Sequence, residues 1–308
     1  MKERSVVGKA DFRSYYGRPI LKRPVWKWFI PAYFFTGGLS GASATLALAA
    51  HVRGNAELRR VARVASLGGI LASVFFLIAD LGRPSRFANM LRVARPTSPM
   101  SMGSWLLAVF GPATGAAAVS EATGLLPGVG DMAGVVAGVL GPAVATYTGV
   151  LLADSAVPAW HEARDHLPLL FAGGAAASAG GVALQFVSGA SAEPARRLAL
   201  AGAQIELGTS RAMEQKLGAV GAPYREGRAG QVGKIGEKLT MAGAAALGLG
   251  RRRQWLARVG GALVTFGAAA ERFAVYEAGI QSAADPRFVV AVQRERMARG
   301  EVAATSSP

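Results

Sequence analysis

Long apolar runs separated by short charged segments dominate the first two thirds of the chain. A helix needs about 20 mostly apolar residues to cross the hydrocarbon core of a bilayer. Five runs approach or exceed this length and predict helices one to five at residues 28–50, 61–81, 101–120, 132–157 and 168–190. Glycine pairs spaced four residues apart, Gly37/Gly41 and Gly134/Gly138, predict close helix packing in the first and fourth of these helices.

The last third is less uniformly apolar. Segments 194–209, 233–250 and 255–280 carry charged residues among apolar positions and predict helices six, seven and eight, packed against protein rather than lipid. Segment 211–230 is polar and contains glycine, so we predict a loop there. The pattern therefore predicts an all-α, polytopic integral membrane protein with eight transmembrane helices in two four-helix halves. Residues 28–280 would form this membrane domain, between a basic tail at 1–27 and a charged tail at 281–308.

Composition agrees with this class. Hydrophobic residues make up 51% of the 308 and charged residues only 17%, against about 25% charged in soluble domains. The net charge of +15 does not indicate nucleic acid, because the basic residues lie in short connections between apolar runs and no nucleic-acid motif accompanies them. Their distribution predicts a multi-pass protein of the cell membrane with both termini in the cytoplasm.

The chain lacks the residues that usually hold electron carriers. It has no cysteine, which excludes thiolate ligation of an iron–sulfur cluster. Its histidines, His51, His161 and His166, lie at a helix end or in a connection, so no pair is placed to hold a haem in the membrane, and their spacing predicts no metal site. If the protein does redox work, its substrate must be a mobile carrier, and another subunit must supply or accept the electrons.

An acid ends the second apolar run. Asp80 is followed by Arg83 and a proline-punctuated basic connection, and a carboxylate at this depth is costly unless it is paired or used. A charged helix end in the lipid headgroups is the alternative interpretation.

Other acids lie within or beside predicted helices: Asp154, Glu206, Glu271 and Glu277. Such acids are candidates for a proton path by default. A structural ion pair, for example Glu271 with a nearby arginine, is the alternative that the residues favour.

Four stretches of the chain resemble the NrfD / polysulfide reductase membrane-subunit family. They are Trp26-Lys27-Trp28 with Tyr33 and Gly37-Gly38-Leu39-Ser40-Gly41, Asp80-Leu81-Gly82-Arg83-Pro84 with Arg86-Phe87, Pro96-Thr97-Ser98-Pro99 with Gly103-Ser104-Trp105, and Tyr147-Thr148-Gly149-Val150-Leu151-Leu152 with Pro158-Ala159-Trp160. The resemblance implies an eight-helix subunit that binds a quinone, menaquinone or ubiquinone, near one membrane face. It also implies a ferredoxin-like partner carrying [4Fe–4S] clusters and a large catalytic subunit, often molybdopterin-dependent.

The resemblance also implies roles for particular residues. Tyr33 would contribute a polar side chain to the quinone pocket, Tyr147 would reach a quinone carbonyl, and Asp80 would donate or accept a proton. Ile30 is apolar where some family members carry a polar residue, which removes one hydrogen bond to the quinone.

We further expect Gly37, Arg83 and Trp105 to belong to the quinone-binding region. Two other functions remain open at this point: a proton- or ion-translocating transport subunit that uses the intramembrane acids, and a passive membrane anchor for a soluble enzyme.

Overall fold

The computed structural model describes residues 21–83, 86, 89–218, 220–250 and 253–290, and this part of the chain is helical without a strand. The predicted tails at 1–27 and 281–308 therefore lie largely outside the described residues. The helices are α1 (Phe29–Val52), α2 (Ala56–Leu81), α3 (Pro99–Thr123), α4 (Pro127–Ala153), α5 (Pro158–Glu162), α6 (Leu167–Ala183), α7 (Glu193–Leu217), α8 (Ala222–Arg225), α9 (Gly227–Leu249) and α10 (Gln254–Ala284).

Three helices of the described residues, α2, α3 and α4, are long and apolar enough to cross a membrane, and α6 is a shorter apolar helix. The all-α class is confirmed, whereas the count of eight spans stays a prediction. Helix α1 carries Gly37, Gly38, Ser40, Gly41 and Ser43, which lower its hydropathy, and all five are buried. Because neighbouring helices cover it, α1 does not need a strongly apolar surface.

The start of α2 is set by a capping residue rather than by hydropathy. The Asn55 side chain accepts a hydrogen bond from the Leu58 amide at 3.1 Å, so α2 starts at Ala56 and not at residue 61. Its first turns carry charged side chains, which are compatible with a helix although they interrupt the apolar run. The fourth helix ends at Ala153, not at residue 157, and Pro158 opens the separate short helix α5.

The predicted loop at 211–230 is wrong. Helix α7 continues to Leu217, and α8 and the start of α9 occupy much of the remainder. Residues 211–217 are good helix formers despite their polarity. Met213 and Leu217, four residues apart on one face, are buried and supply the packing that stabilises this end of the helix.

Helix α1 lies at the centre of the first half and packs against α2, α4 and α6. A Cβ added at Gly41 would lie 2.5 Å from the Gly141 carbonyl oxygen, and one at Gly138 would lie 2.4 Å from Leu48 Cβ. The close approach that the glycine spacing predicted is therefore present. In the second half, α6 packs on α7 and α10, and α9 packs on α10.

Candidate functional site

A cavity of about 180 Å³ lies where four helix ends meet at one face of the first half. Consecutive long helices here are antiparallel, so α1 and α3 begin at the face where α2 and α4 end. The polar side chains that line the cavity are Tyr33, Asp80, Ser104 and Tyr147. Most of the remaining wall is apolar and includes Trp26, Ile30, Phe34, Leu77, Leu107 and Leu151. The structure thus brings the two predicted tyrosines and the predicted acid around one space.

The Tyr147 hydroxyl is shielded from solvent and has no hydrogen-bond partner among the residues that the structure describes. The Tyr147 and Tyr33 rings meet edge to face, with their centroids 6.5 Å apart. Gly103 makes room for the Tyr147 ring, because an added Cβ would lie 2.5 Å from Tyr147 Cε2. An unpaired buried hydroxyl is costly, so this side chain is suited to donate to an acceptor that the described residues do not provide.

Asp80 is held by the segment that precedes α1. The Lys27 amide donates to Asp80 Oδ1 at 3.0 Å. The segment is fixed in turn from the second half, because the Tyr276 hydroxyl donates to the Trp26 carbonyl and the Trp26 ring stacks on Trp160 at 5.7 Å. The segment that holds Asp80 at the cavity is therefore bonded to α10. The start of α1 and the end of α10 lie at the same face.

Three predicted binding residues lie outside the cavity lining. Gly37 packs α1 against α2, where an added Cβ would lie 3.0 Å from Ser73 Oγ. Trp105 is 41% exposed. Arg83 is exposed and follows Gly82, whose φ of +69° ends α2 in the left-handed region, and the structure shows the Lys27 amide rather than Arg83 bonded to Asp80.

Two of the predicted proton-path acids, Glu206 and Glu271, are buried in the second half. Arg272 lies beside them: its guanidinium is 3.9 Å from the Phe171 ring centroid and donates to the Phe171 carbonyl at 2.6 Å. In the described part of the chain, Thr240 interacts with the Glu206 carboxylate, but no hydrogen bond of good geometry reaches either oxygen. Gly174 makes room for both groups, since its added Cβ would lie 2.5 Å from Glu206 Oε1 and 3.0 Å from Arg272 Nη2.

The other two acids lie elsewhere. Asp154 is exposed and caps the end of α4, on the cavity side of the first half. Glu277 is partly exposed and lies 4.0 Å from the exposed Arg228. The structure therefore does not place these four acids in one continuous row: Asp154, Glu206, Glu271 and Glu277.

Sequence reasoning missed a charged cluster at the opposite end of α2. The side chain of Arg63 is only 6% exposed and donates to Glu121 Oε2 at 2.8 Å and to Asp131 Oδ1 at 2.9 Å. Arg59 also pairs with Glu121, at 3.0 Å. The signal was available, because antiparallel order places the start of α2, the end of α3 and the start of α4 at one face.

The described helices, three of them long and apolar enough to cross a membrane, form a bundle with a mostly apolar cavity at one face. A family model described as Polysulphide reductase, NrfD matches residues 20–198, more than half of the chain. The chain therefore belongs to the NrfD polysulphide reductase family, which confirms the resemblance seen in the sequence. Membership makes it a membrane subunit of a quinone-linked oxidoreductase, a type that typically partners with iron–sulfur and catalytic subunits.

The match covers α1 to α6 and only the start of α7, so it contains the whole cavity but neither Glu206 nor Glu271. None of the curated proteins compared with the chain matches it.

Proposed function

We propose that the cavity binds the headgroup of a membrane quinone and that the chain there exchanges electrons between an iron–sulfur partner subunit and the quinone/quinol pool. The unpartnered Tyr147 hydroxyl carries this proposal. A quinone ring offers two carbonyl oxygens, which accept hydrogen bonds and donate none. A slight turn of the Tyr147 ring toward the cavity brings its hydroxyl to such an oxygen and satisfies both groups.

The size of the cavity suits a ring without its tail. Pockets for whole drug-sized ligands measure about 300–1,000 Å³, whereas this cavity measures about 180 Å³. The apolar wall fits the faces of a flat ring. Met100 lines the cavity and is 52% exposed, so the isoprenoid tail leaves past Met100 into the lipid.

The polar groups of the cavity transfer the protons that the reaction needs. Conversion of quinone to quinol takes up two electrons and two protons, and the reverse reaction releases them. Asp80 borders the cavity at the membrane face and exchanges protons between the headgroup and water. The electrons pass to or from a partner that carries [4Fe–4S] clusters, docked over this face and linked to a large catalytic subunit. We assign this face to the cytoplasmic side of the cell membrane, in line with the distribution of basic residues.

A test of this proposal uses the assembled complex with a quinone analogue. Replacing Tyr33 with Phe, Asp80 with Asn and Tyr147 with Phe together should abolish quinone turnover while the complex still assembles and its catalytic subunit still reacts with a soluble electron acceptor. A passive anchor needs none of these groups. Unchanged quinone turnover in this triple variant would therefore favour the anchor over a quinone site.

A second function, proton translocation through the second half, is favoured by the burial of two acids, Glu206 and Glu271, that interact with each other. The Glu206→Gln variant in liposomes tests it. Loss of proton movement with quinone turnover retained would support a relay through Glu206, whereas unchanged proton-to-electron stoichiometry would show that Glu206 is structural.

A further inference from the structure

A larger groove, of about 490 Å³, opens between the two halves at some distance from the quinone cavity. Helices α1, α4, α6 and α7 contribute to it. Alanines form much of its lining, among them Ala49, Ala172, Ala176 and Ala201, and their short side chains leave the space open. Ala49 and Ala201 are exposed into it.

The hydroxyl groups in the groove wall are already used. Thr45 Oγ1 donates to the Gly138 carbonyl at 3.1 Å, and Thr146 Oγ1 donates to the Pro142 carbonyl at 2.9 Å. Neither threonine therefore calls for a polar ligand. The wall between the helices is suited to a hydrocarbon chain, which contributes affinity through apolar contact alone.

One end of the groove is positively charged. Arg53 and Arg197 line this end. Arg53 is exposed and has no partner within the described residues. Arg197 is also exposed and bonds Glu193 at 2.9 Å, but Glu193 is shared with Arg196. One carboxylate thus pairs with two guanidinium groups, and Arg53 remains without a carboxylate among the described residues, which leaves positive charge for an anion.

The groove spans the depth of one leaflet. Ala42 and Arg53 line its two ends on α1 and are separated by about 16 Å of helix, close to half of the ~30 Å hydrocarbon core. The Asn55 side-chain amide donates to the Ser191 carbonyl at 3.0 Å, which fixes the end of α1 beside the start of α7. The charged end therefore lies at the membrane surface, on the face opposite the quinone cavity.

We propose that this groove is a specific binding site for an anionic phospholipid. An acyl chain lies along the alanines between the two halves, and the phosphate group lies at Arg53 and Arg197. The lipid fills the seam between α1, α4, α6 and α7 and so holds the halves together. No residue that lines the groove also lines the quinone cavity.

Native mass spectrometry of the full chain tests the proposal. The detergent-purified protein is titrated with phosphatidylglycerol or with phosphatidylcholine of the same acyl chains. We expect one phosphatidylglycerol to bind at least about fivefold more tightly than phosphatidylcholine, the effect of roughly one arginine at a membrane surface. Equal affinity for both lipids, or only a graded series of weak adducts, would overturn the site.

Two variants and two controls locate the binding. Arg53→Gln should weaken phosphatidylglycerol about fivefold and phosphatidylcholine less, because the choline cation offsets the phosphate that both lipids carry. The exposed Arg60→Gln, outside the groove, should change neither. Ala49→Leu fills the groove from its open side and should weaken both lipids, unlike Ala143→Leu on an exposed surface outside it.

If Ala49→Leu binds both lipids with wild-type affinity, the groove is not the binding site. Displacement of the bound phosphatidylglycerol by one equivalent of a quinone would instead show a second quinone site and would also contradict the proposal.

Discussion

Replacing Tyr147 by phenylalanine removes one oxygen atom and leaves the ring. The ring keeps its edge-to-face contact with Tyr33 and its close contact with Gly103. The lost hydroxyl has no hydrogen-bond partner in the described structure. The substitution therefore separates a ligand-binding role from a packing role more cleanly than most substitutions in the cavity.

The magnitude follows from this lack of a partner. Because no hydrogen bond among the described residues is broken, the free energy of unfolding should stay within about 0.5 kcal/mol of wild type or rise slightly. Quinone turnover should instead lose the hydrogen bond to the carbonyl. A bond of this kind, including the cost of leaving the carbonyl unpaired, contributes about 1–3 kcal/mol, which corresponds to a roughly 5- to 150-fold fall in kcat/KM.

The assay measures quinone reduction or quinol oxidation by the assembled complex, together with thermal unfolding followed by intrinsic tryptophan fluorescence. Tyr224→Phe is the matched control. The Tyr224 hydroxyl is buried and donates to the Ala159 carbonyl at 3.0 Å, away from the cavity. Its loss should cost about 1 kcal/mol of stability and leave turnover intact. Wild-type kcat/KM in Tyr147→Phe, or a loss of stability like that of the control, would refute the reasoning.

Three further substitutions test the surroundings. Gly103→Ala should displace the Tyr147 ring and lower kcat/KM for quinone roughly 10- to 100-fold without loss of assembly, and wild-type kinetics would show that the ring position is unimportant. Asp80→Asn keeps a carbonyl oxygen for the Lys27 amide, so assembly should be normal while turnover falls and its pH profile changes; an unaltered pH profile would remove Asp80 from the proton path. Arg63→Gln should cost about 3 kcal/mol in thermal unfolding, at the lower end of the range for broken buried pairs, and a change within 0.5 kcal/mol, as expected for an exposed arginine, would contradict that estimate.

The gathering of Tyr33, Asp80 and Tyr147 was predictable, because antiparallel helices bring the start of one and the end of the next to the same face. The direction of individual side chains was less so. Trp105 lies two residues after Gly103, about 200° around α3, so the motif residue that looks most like a ring-stacking group is turned away from the cavity wall. Gly37 lies one turn below Tyr33 and serves helix packing instead.

Charged residues explain most of the remaining differences. Apolar runs mark the lipid-facing part of a helix but not its ends, so the charged first turns of α2 and the polar last turns of α7 were missed. The ion pairs of Arg63 with Glu121 and Asp131 join the start of α2 to the helix ends that flank the turn between α3 and α4, and the partners are 58 and 68 residues away in sequence. Such pairs can be predicted only after the helix ends have been assigned to the same face of the bundle.

The most direct test of the quinone site is photoaffinity labelling of the assembled complex with a quinone whose ring carries a photoreactive group, followed by peptide mapping. A quinone site in the cavity predicts labels at Tyr33, Leu107 or Leu151, on the walls contributed by α1, α3 and α4, and loss of labelling in the presence of excess native quinone. Competed labelling confined to α7, α9 and α10, with none around the cavity, would contradict it.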